Sequence, residues 1–272
     1  MSTTTEEKNN QPYASINNIF RRIDSLWLLV VAVLLIIVLL IILKPDPFMR
    51  ILVYAKDGIL VTIYTTLLSF ALVLILGLFG GLGRISHVPF IRRIASLYIE
   101  IVRGVPLLVQ LIFWYFAFPS IIQDVGTALN KPALINYKAN PLAMAILGLT
   151  FCYGAYMSEV YRAGIESIPK GQMEAARSLG MNYFQAMRHI ILPQAVRVVL
   201  PPIGNEFITL LKDSSLVSVV AVADLTRRGR EFMAANFIPV QTWLMVGLLY
   251  LVLTLVSARV VRWLETKSRY ER

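Results

Sequence analysis

Runs of apolar residues as long as a membrane-spanning helix recur along this chain. The first, Leu26 to Leu43, has 18 residues and no charge, and about 20 apolar residues in a helix cross the hydrocarbon core of a bilayer. The run follows Arg21 and Arg22, and no small-residue cleavage site comes after it, which argues against a signal peptide. We therefore predict a transmembrane helix over residues 25–45, preceded by a polar, disordered, cytoplasmic tail over residues 1–24.

Five more apolar runs follow the first. Hydrophobic residues make up 57% of the chain and charged residues only 15%, against about 25% charged residues in a typical soluble domain. A soluble protein of this length cannot bury so much apolar surface, because the buried fraction rises only slowly with size. We predict an all-α polytopic membrane protein. The five further spans are expected at about Ile59–Gly81, Ala95–Ala117, Pro141–Ser158, Ile203–Val222 and Thr242–Val261.

Basic residues indicate the orientation of the chain, because Lys and Arg collect in cytoplasmic loops. The chain has a net charge of +10, and with six spans most of its basic clusters fall on one side. The opposite loops carry fewer basic residues, although the trio Arg227, Arg228 and Arg230 runs against this rule. The balance predicts that both termini are cytoplasmic. The clusters on that side are Arg21–Arg22, Arg84 with Arg92 and Arg93, Lys170 to Arg197, and Arg262 to Arg272.

The sequence contains no pattern for a disulfide, a metal site or an enzyme. The single cysteine, Cys152, lies inside an apolar run, and His87 and His189 lack metal-ligand spacing. No nucleophile and base stand together in a catalytic pattern. A basic soluble protein would suggest nucleic acid, but in a membrane chain the basic residues serve orientation. We therefore predict no metal, no nucleic-acid partner and no enzymatic activity in this chain.

Small and hydroxylated residues mark one face of the second span. Thr62, Thr66 and Ser69 fall on that face, and Gly77 and Gly81 form a small-xxx-small pair. Close packing against a neighbouring helix is the favoured interpretation. The alternative is a polar stripe that faces a pore.

The segment between the fourth and fifth spans, residues 166–193, is long and charged, and we call it the elbow. Its residues from Gln172 to Leu179 favour a helix, which Gly180 breaks or caps. Asn182 can cap a second helix, which we expect to end at Pro193. The elbow is therefore predicted to be two short helices joined at a glycine.

An exposed elbow either rests on lipid or fits a groove in a partner protein. Met173, Ala176 and Leu179 give it only a narrow apolar edge, with Glu174 and Arg177 beside them. So little apolar area favours a partner groove over lipid.

The residues of the elbow resemble the EAA loop of ABC-importer permeases. The resemblance implies that the elbow is a coupling helix, which in that family sits in a cleft of a cytoplasmic ATPase. Ala176 and Gly180 would then allow close backbone approach, and Glu174 would contact the ATPase or cap the helix. The matching residues are Glu174, Ala175, Ala176, Gly180, Ile190, Leu192 and Pro193.

Three further stretches are similar to the branch of these permeases that takes up histidine, glutamine, glutamate and arginine. They are Tyr98–Leu111, Tyr153–Gln172 and Gly204–Val219. The resemblance implies a five-helix ABC-importer permease core over residues 58–265, to which this chain adds the N-terminal helix. It also implies a cytoplasmic C-terminal tail over residues 266–272. The loop Pro119–Asn140 departs from the family pattern.

The resemblance also implies several partners in the cytoplasmic membrane of a prokaryote. The chain has no G-x-x-x-x-G-K-[ST] phosphate loop, so ATP and Mg would be bound by a separate ATPase and this chain would hold no cofactor. An extracytoplasmic amino-acid-binding protein would deliver substrate, and a second permease, identical or homologous, would complete the path. An ion-coupled carrier acting alone is the alternative, but it would show an inverted repeat and would not need the elbow spacing. A membrane scaffold is a third possibility.

Ionisable side chains within the spans are the candidates for a substrate path, because such groups are costly in lipid. A zwitterionic amino acid needs an acceptor for its ammonium and donors for its carboxylate. Lys212 and Asp213 lie deepest in their span. The alternative is internal pairing of Glu100 with Arg103, Glu159 with Arg162, and Lys212 with Asp213. The candidate residues are Glu100, Arg103, Tyr156, Glu159, Glu206, Thr209, Lys212 and Asp213.

Overall fold

The structure is a computed structural model that describes residues 25–269, and every regular element within that range is helical. The predicted tail over residues 1–24 and the last three residues lie outside the described range. The helices are α1 Ser25–Leu43, α2 Pro45–Arg84, α3 Pro89–Gly104, α4 Leu107–Ile112, α5 Phe118–Ala128, α6 Pro132–Ile135, α7 Pro141–Glu166, α8 Lys170–Ser178, α9 Tyr183–Ala186, α10 Leu192–Asp213, α11 Leu225–Asn236 and α12 Pro239–Arg269. Short π-helical turns at Phe113–Ala117 and Met187–Ile191 join α4 to α5 and α9 to α10, and a 3₁₀ turn, Ser214–Val220, follows α10.

Five helical segments of the described range are long and apolar enough to cross a membrane. They are Leu26–Leu43, Pro45–Arg84, Leu107–Ala128, Pro141–Glu166 and Pro239–Lys267. Helix α10, with 22 residues, is comparable in length to a span but is not among these five, and it carries Glu206, Lys212 and Asp213. The predicted all-α membrane architecture is confirmed.

The third predicted span, Ala95–Ala117, is wrong. The chain leaves the helical conformation at Val105, where φ is −104° and ψ is 131°, because the residue before a proline disfavours the α conformation. Helix α4 begins at Leu107, directly after Pro106, and the apolar span runs from Leu107 to Ala128. The stretch predicted as the loop Pro119–Asn140 is therefore largely helical, in α5 and α6.

The second helix of the elbow does not end at Pro193 as predicted. The proline is the second residue of α10 and lies directly after the π-helical turn Met187–Ile191, so the helix continues through it. The helical path runs from Tyr183 through the π-helical turn to Asp213, with Pro201 and Pro202 inside α10. The predicted fifth span, Ile203–Val222, does not coincide with one helix, because α10 ends at Asp213 and the 3₁₀ turn follows.

Helices α2 and α7 pack closely along the small residues of α2. A Cβ atom placed on Gly77 would lie 2.6 Å from Cβ of Met157, and one on Gly81 would lie 2.8 Å from the carbonyl oxygen of Ser158. Thr62, Thr66 and Ser69 are fully buried in the same region. The structure thus favours helix packing over a pore-facing polar stripe.

Helix α1 adds a layer outside the α2–α12 pair. Its Val33 and Ile37 are buried in one cluster with Ile51 of α2 and Met245 of α12. Most of the other large apolar side chains of α1 are exposed, as expected for a helix that contacts lipid on its outer face.

Candidate functional site

A cavity of about 450 Å³ lies between α7 and α10, beside the end of α3. Its polar wall contains Arg103, Tyr156, Glu159 and Glu206, which are four of the eight residues predicted for a substrate path. Its apolar wall includes Val160, Val198 and Val199. The volume lies within the range of small-molecule sites in proteins, and a few polar groups set in an apolar wall are typical of them.

Arg103 is the cation of this cavity. Its guanidinium carbon lies 5.2 Å from the centroid of the Tyr156 ring, a cation–π contact. Arg103 interacts electrostatically with Glu159 and with Glu206, but within the described residues it forms no ion pair at contact distance. The internal pair of Glu100 with Arg103 that the sequence offers does not form, because Glu100 contacts Arg84 instead, at 3.7 Å.

Glu159 is held by two arginines from two helices. Arg162 donates from Nε to Oε2 of Glu159 at 3.0 Å, so the predicted pair within α7 forms. Arg84 at the end of α2 approaches the same oxygen at 3.3 Å. Arg162 also pairs with Glu166, where the elbow begins. A chain of ion pairs therefore runs from the cavity wall to the elbow.

Arg84 was missed as a site residue because the sequence assigns it only to orientation. A signal for it was present. Gly77 and Gly81 bring the backbone of α2 close to α7, and a residue one helical turn beyond Gly81 falls on the same face. A charged side chain at that position is placed against α7.

The other four predicted residues lie outside the cavity wall. Asp213 accepts a hydrogen bond of 2.7 Å from the Tyr153 hydroxyl, and Lys212, which is exposed, forms no ion pair with it within the described range. The Thr209 hydroxyl donates to the carbonyl of Asn205 at 2.9 Å, and Glu100 faces Arg84. The cavity adjoins Glu206 in the middle of α10, and Asp213 lies two helical turns farther along.

The elbow has the predicted local geometry. Helix α8 ends at Ser178, and Gly180 has a φ of +82°, a left-handed conformation that favours glycine. Asn182 caps α9 in a reciprocal capping box with Gln185. Both turns are therefore encoded by the residues that form them.

The exposed surface of the elbow differs from the predicted apolar edge. Ala176 is 4% exposed and turned inward, whereas Leu179 is 81% exposed. Tyr183 and Phe184 add further exposed apolar area, which the sequence reading did not include. Of the residues of the EAA-like pattern, Glu174, Ala175, Gly180, Leu192 and Pro193 are exposed, Ile190 is half-buried and Ala176 is buried.

The family model of the binding-protein-dependent transport system inner membrane component matches residues 73–270. The chain belongs to this family. It is a membrane-spanning permease component of an ABC importer and not an enzyme, and the resemblance seen in the sequence is confirmed.

Individual relatives agree with this assignment. The permease is 35% identical over 213 residues to the glutamine transport system permease protein GlnP of Escherichia coli (strain K12), covering 78% of this chain and 92% of that one. It is 37% identical over 217 residues to the L-cystine transport system permease protein TcyB of Bacillus subtilis (strain 168), covering 76% and 87%. A crystal structure of an amino acid ABC transporter with histidines matches with a TM-score of 0.70 and 33% identity, covering 84% of this chain and 97% of that one.

Proposed function

We propose that this permease moves a polar amino acid into the cytoplasm by alternating access. The observation that carries the proposal is the cavity between α7 and α10, which offers one cation, Arg103, and one carboxylate, Glu206, neither of which forms an ion pair at contact distance among the described residues. A zwitterion presents one carboxylate and one ammonium, so it complements these two groups. The glutamine and cystine permeases among the relatives support this substrate class.

The elbow is proposed to couple the permease to a separate ATPase that binds ATP and Mg. Leu179 and Phe184 project from it, with Glu174 on α8 also exposed. An apolar side chain flanked by charges is suited to a protein groove. The ion pairs from Glu159 through Arg162 to Glu166 provide a physical connection between the elbow and the cavity.

Two further partners follow from the family: a second permease, identical or homologous, and an extracytoplasmic binding protein. The basic residues near the elbow, including Lys170, Arg177 and Arg188, support a cytoplasmic elbow. With α10 as a sixth span beside the five apolar segments, both termini would lie on that side as well.

Co-purification with elbow variants tests the coupling. The full-length chain, a Leu179→Asp variant and a Gly247→Trp control are solubilised gently from the native membrane, and their partners are identified by mass spectrometry. Gly247 is exposed on α12, and no neighbouring atom lies within 4 Å of a Cβ placed on it. We expect an ATP-binding subunit with the native chain and the control, and its loss from Leu179→Asp. Equal recovery from all three chains would exclude Leu179 from the contact with the ATPase.

A further inference from the structure

A second cavity, of about 790 Å³, lies where the elbow meets the loop between α2 and α3. Its wall contains three cations, Arg84, Arg92 and Lys170, but only one carboxylate, Glu166, so the wall carries two positive charges in excess. No described residue lines both this cavity and the one between α7 and α10. The basic cavity is therefore separate from the proposed substrate path.

The two excess charges belong to Arg92 and Lys170. Arg84 lies 3.3 Å from Glu159, and Glu166 pairs with Arg162, so these two charges of the wall are already matched. Arg92 and Lys170 form no ion pair in the part of the chain that the structure describes, and both are exposed. Like charges that face one cavity repel each other, and an anion between them removes this repulsion.

The loop of residues 85–88 lies at the level of the membrane surface. Leu82 near the end of α2 and Phe90 at the start of α3 are exposed on either side of it, as expected for apolar side chains that contact lipid. The ring of Tyr183 in the elbow lies 6.3 Å from the ring of His87 in the loop, centroid to centroid, and tyrosine is enriched where a membrane meets water. The cavity is thus placed in the headgroup layer.

We propose that this cavity binds the headgroup of an anionic phospholipid, with the phosphate between Arg92 and Lys170. Basic pockets on the cytoplasmic side of membrane helices recognise such headgroups. Ile168, Met173 and Met187 are half-buried and line the same cavity. The glycerol and the first methylene groups of a lipid can pack on this apolar floor, whereas inorganic phosphate has no apolar part.

The headgroup would connect two elements of the permease. Arg92 belongs to α3, and Lys170 is the first residue of α8 in the elbow. A phosphate bound to both side chains holds the elbow against α3 through charge-assisted contacts. The inference goes beyond the proposed transport function, because it assigns a lipid to a surface that takes no part in the substrate path.

Photocrosslinking of lipid tests the site. The full-length permease, with the subunits that co-purify with it, is placed in phosphatidylcholine nanodiscs that contain a small fraction of phosphatidylglycerol with a photoreactive headgroup. Crosslinked peptides are identified by mass spectrometry. We expect crosslinks within residues 85–92 and 165–173, which are lost when unlabelled phosphatidylglycerol is added but persist with inorganic phosphate in large molar excess. Crosslinks confined to other segments, or equal competition by inorganic phosphate, would overturn the proposal.

Charge variants separate a specific site from general attraction of lipid to a basic surface. Arg92→Gln and Lys170→Gln each remove one cation of the cavity, whereas Arg93→Gln removes the neighbouring exposed arginine, which does not line it. Below saturation, we expect about fivefold fewer crosslinks in each of the first two variants and a change of less than about twofold in the control. An equal loss in all three would rule out a specific site.

An acidic side chain of the ATPase is the competing occupant of the cavity. Recovery of the ATPase with Arg92→Gln and Lys170→Gln is compared with recovery with the native chain, in detergent without anionic lipid. We expect equal recovery, since the lipid site does not need the ATPase. Loss of the ATPase from both variants, in chains that keep the native melting temperature, would assign the cavity to the ATPase and overturn the proposed lipid site.

Discussion

Replacing Arg84 by glutamine should destabilise the permease mainly through loss of the ion pair with Glu159, and much less through loss of the ion pair with Glu100. The Arg84–Glu159 pair has a separation of 3.3 Å, and both side chains are about one quarter exposed, at 25% and 24%. The Arg84–Glu100 pair has a separation of 3.7 Å, and Glu100 is 67% exposed. The same arginine thus allows a comparison of a sheltered pair with an exposed one.

The expected coupling energies follow from this difference in exposure. Exposed pairs contribute about 0.2–1 kcal/mol, and breaking a fully buried pair costs about 3–5 kcal/mol. Glu159 keeps Arg162 when Arg84 is lost, which lowers the cost. We expect a coupling of about 1.5 kcal/mol between Arg84 and Glu159, and of about 0.3 kcal/mol between Arg84 and Glu100.

Double-mutant cycles with Arg84→Gln, Glu159→Gln and Glu100→Gln measure both couplings. Cys152 is the only cysteine of the chain and is 2% exposed, so a thiol-reactive dye reports unfolding of the purified full-length chain. About 1 kcal/mol corresponds to about 2–4 °C in the melting temperature of a chain this size. We expect non-additivity of about 3–6 °C with Glu159 and at most about 1 °C with Glu100. Equal non-additivity in the two cycles would refute the reasoning.

Three further predictions concern the elbow, α10 and α11. Gly180→Ala should reduce co-purification of the ATPase and lower the melting temperature of the permease, because a left-handed conformation costs a residue with a Cβ about 1–2 kcal/mol. The control is Gly171→Ala, where an added Cβ meets no atom within 4 Å. Equal effects of the two substitutions would contradict the prediction. Asp213→Asn should leave the substrate affinity of the permease–ATPase complex, measured by equilibrium binding, within about twofold, since Asp213 lies outside the cavity wall. A loss of about tenfold or more would place Asp213 in the substrate path. Hydrogen bonding from Arg227 lowers the pKa of Glu231, so the Glu231 carboxylate stabilises the folded chain above its ordinary pKa, and this contribution is lost as the pH falls through the lowered pKa. The melting-temperature difference between the native chain and Glu231→Gln should therefore be present at pH 7 and vanish in acid. A difference that stays constant with pH would contradict the prediction.

Local signals in the sequence were sufficient for the turn of the elbow at Gly180 and for the start of its second helix. Glycine at position 180 takes a left-handed conformation, and Asn182 caps the next helix with Gln185, because these effects depend on residues close together in the chain. Gly77 and Gly81 likewise predicted close packing of α2, since a helix without side chains on one face can approach its neighbour.

Contacts between distant residues could not be predicted in the same way. Arg84 and Glu159 lie on different helices, and which carboxylate the arginine meets depends on how α2, α3 and α7 pack. The depth of Lys212 and Asp213 in the predicted span indicated a role in the substrate path, but Asp213 accepts a hydrogen bond from the Tyr153 hydroxyl and lies outside the cavity wall. Depth alone does not say which side of a helix faces a cavity.

Prolines gave opposite outcomes at two positions. Pro106 separates α3 from α4 because Val105 before it adopts an extended conformation. Pro193 follows a π-helical turn directly, and the helical path continues through it. The same residue type interrupts the helical path at one position and is accommodated within it at the other, and hydropathy does not contain this information.

The energy source for uptake tests the central claim most directly. The complete complex is reconstituted into proteoliposomes with its binding protein, and uptake of radiolabelled L-arginine and L-glutamine is measured with and without ATP on the side of the ATPase, in the presence of ionophores that abolish proton and sodium gradients. An importer permease coupled through the elbow predicts uptake that requires ATP, persists with ionophores and is lost in the Leu179→Asp variant. Uptake that proceeds without ATP and disappears with ionophores would contradict this account and support an ion-coupled carrier.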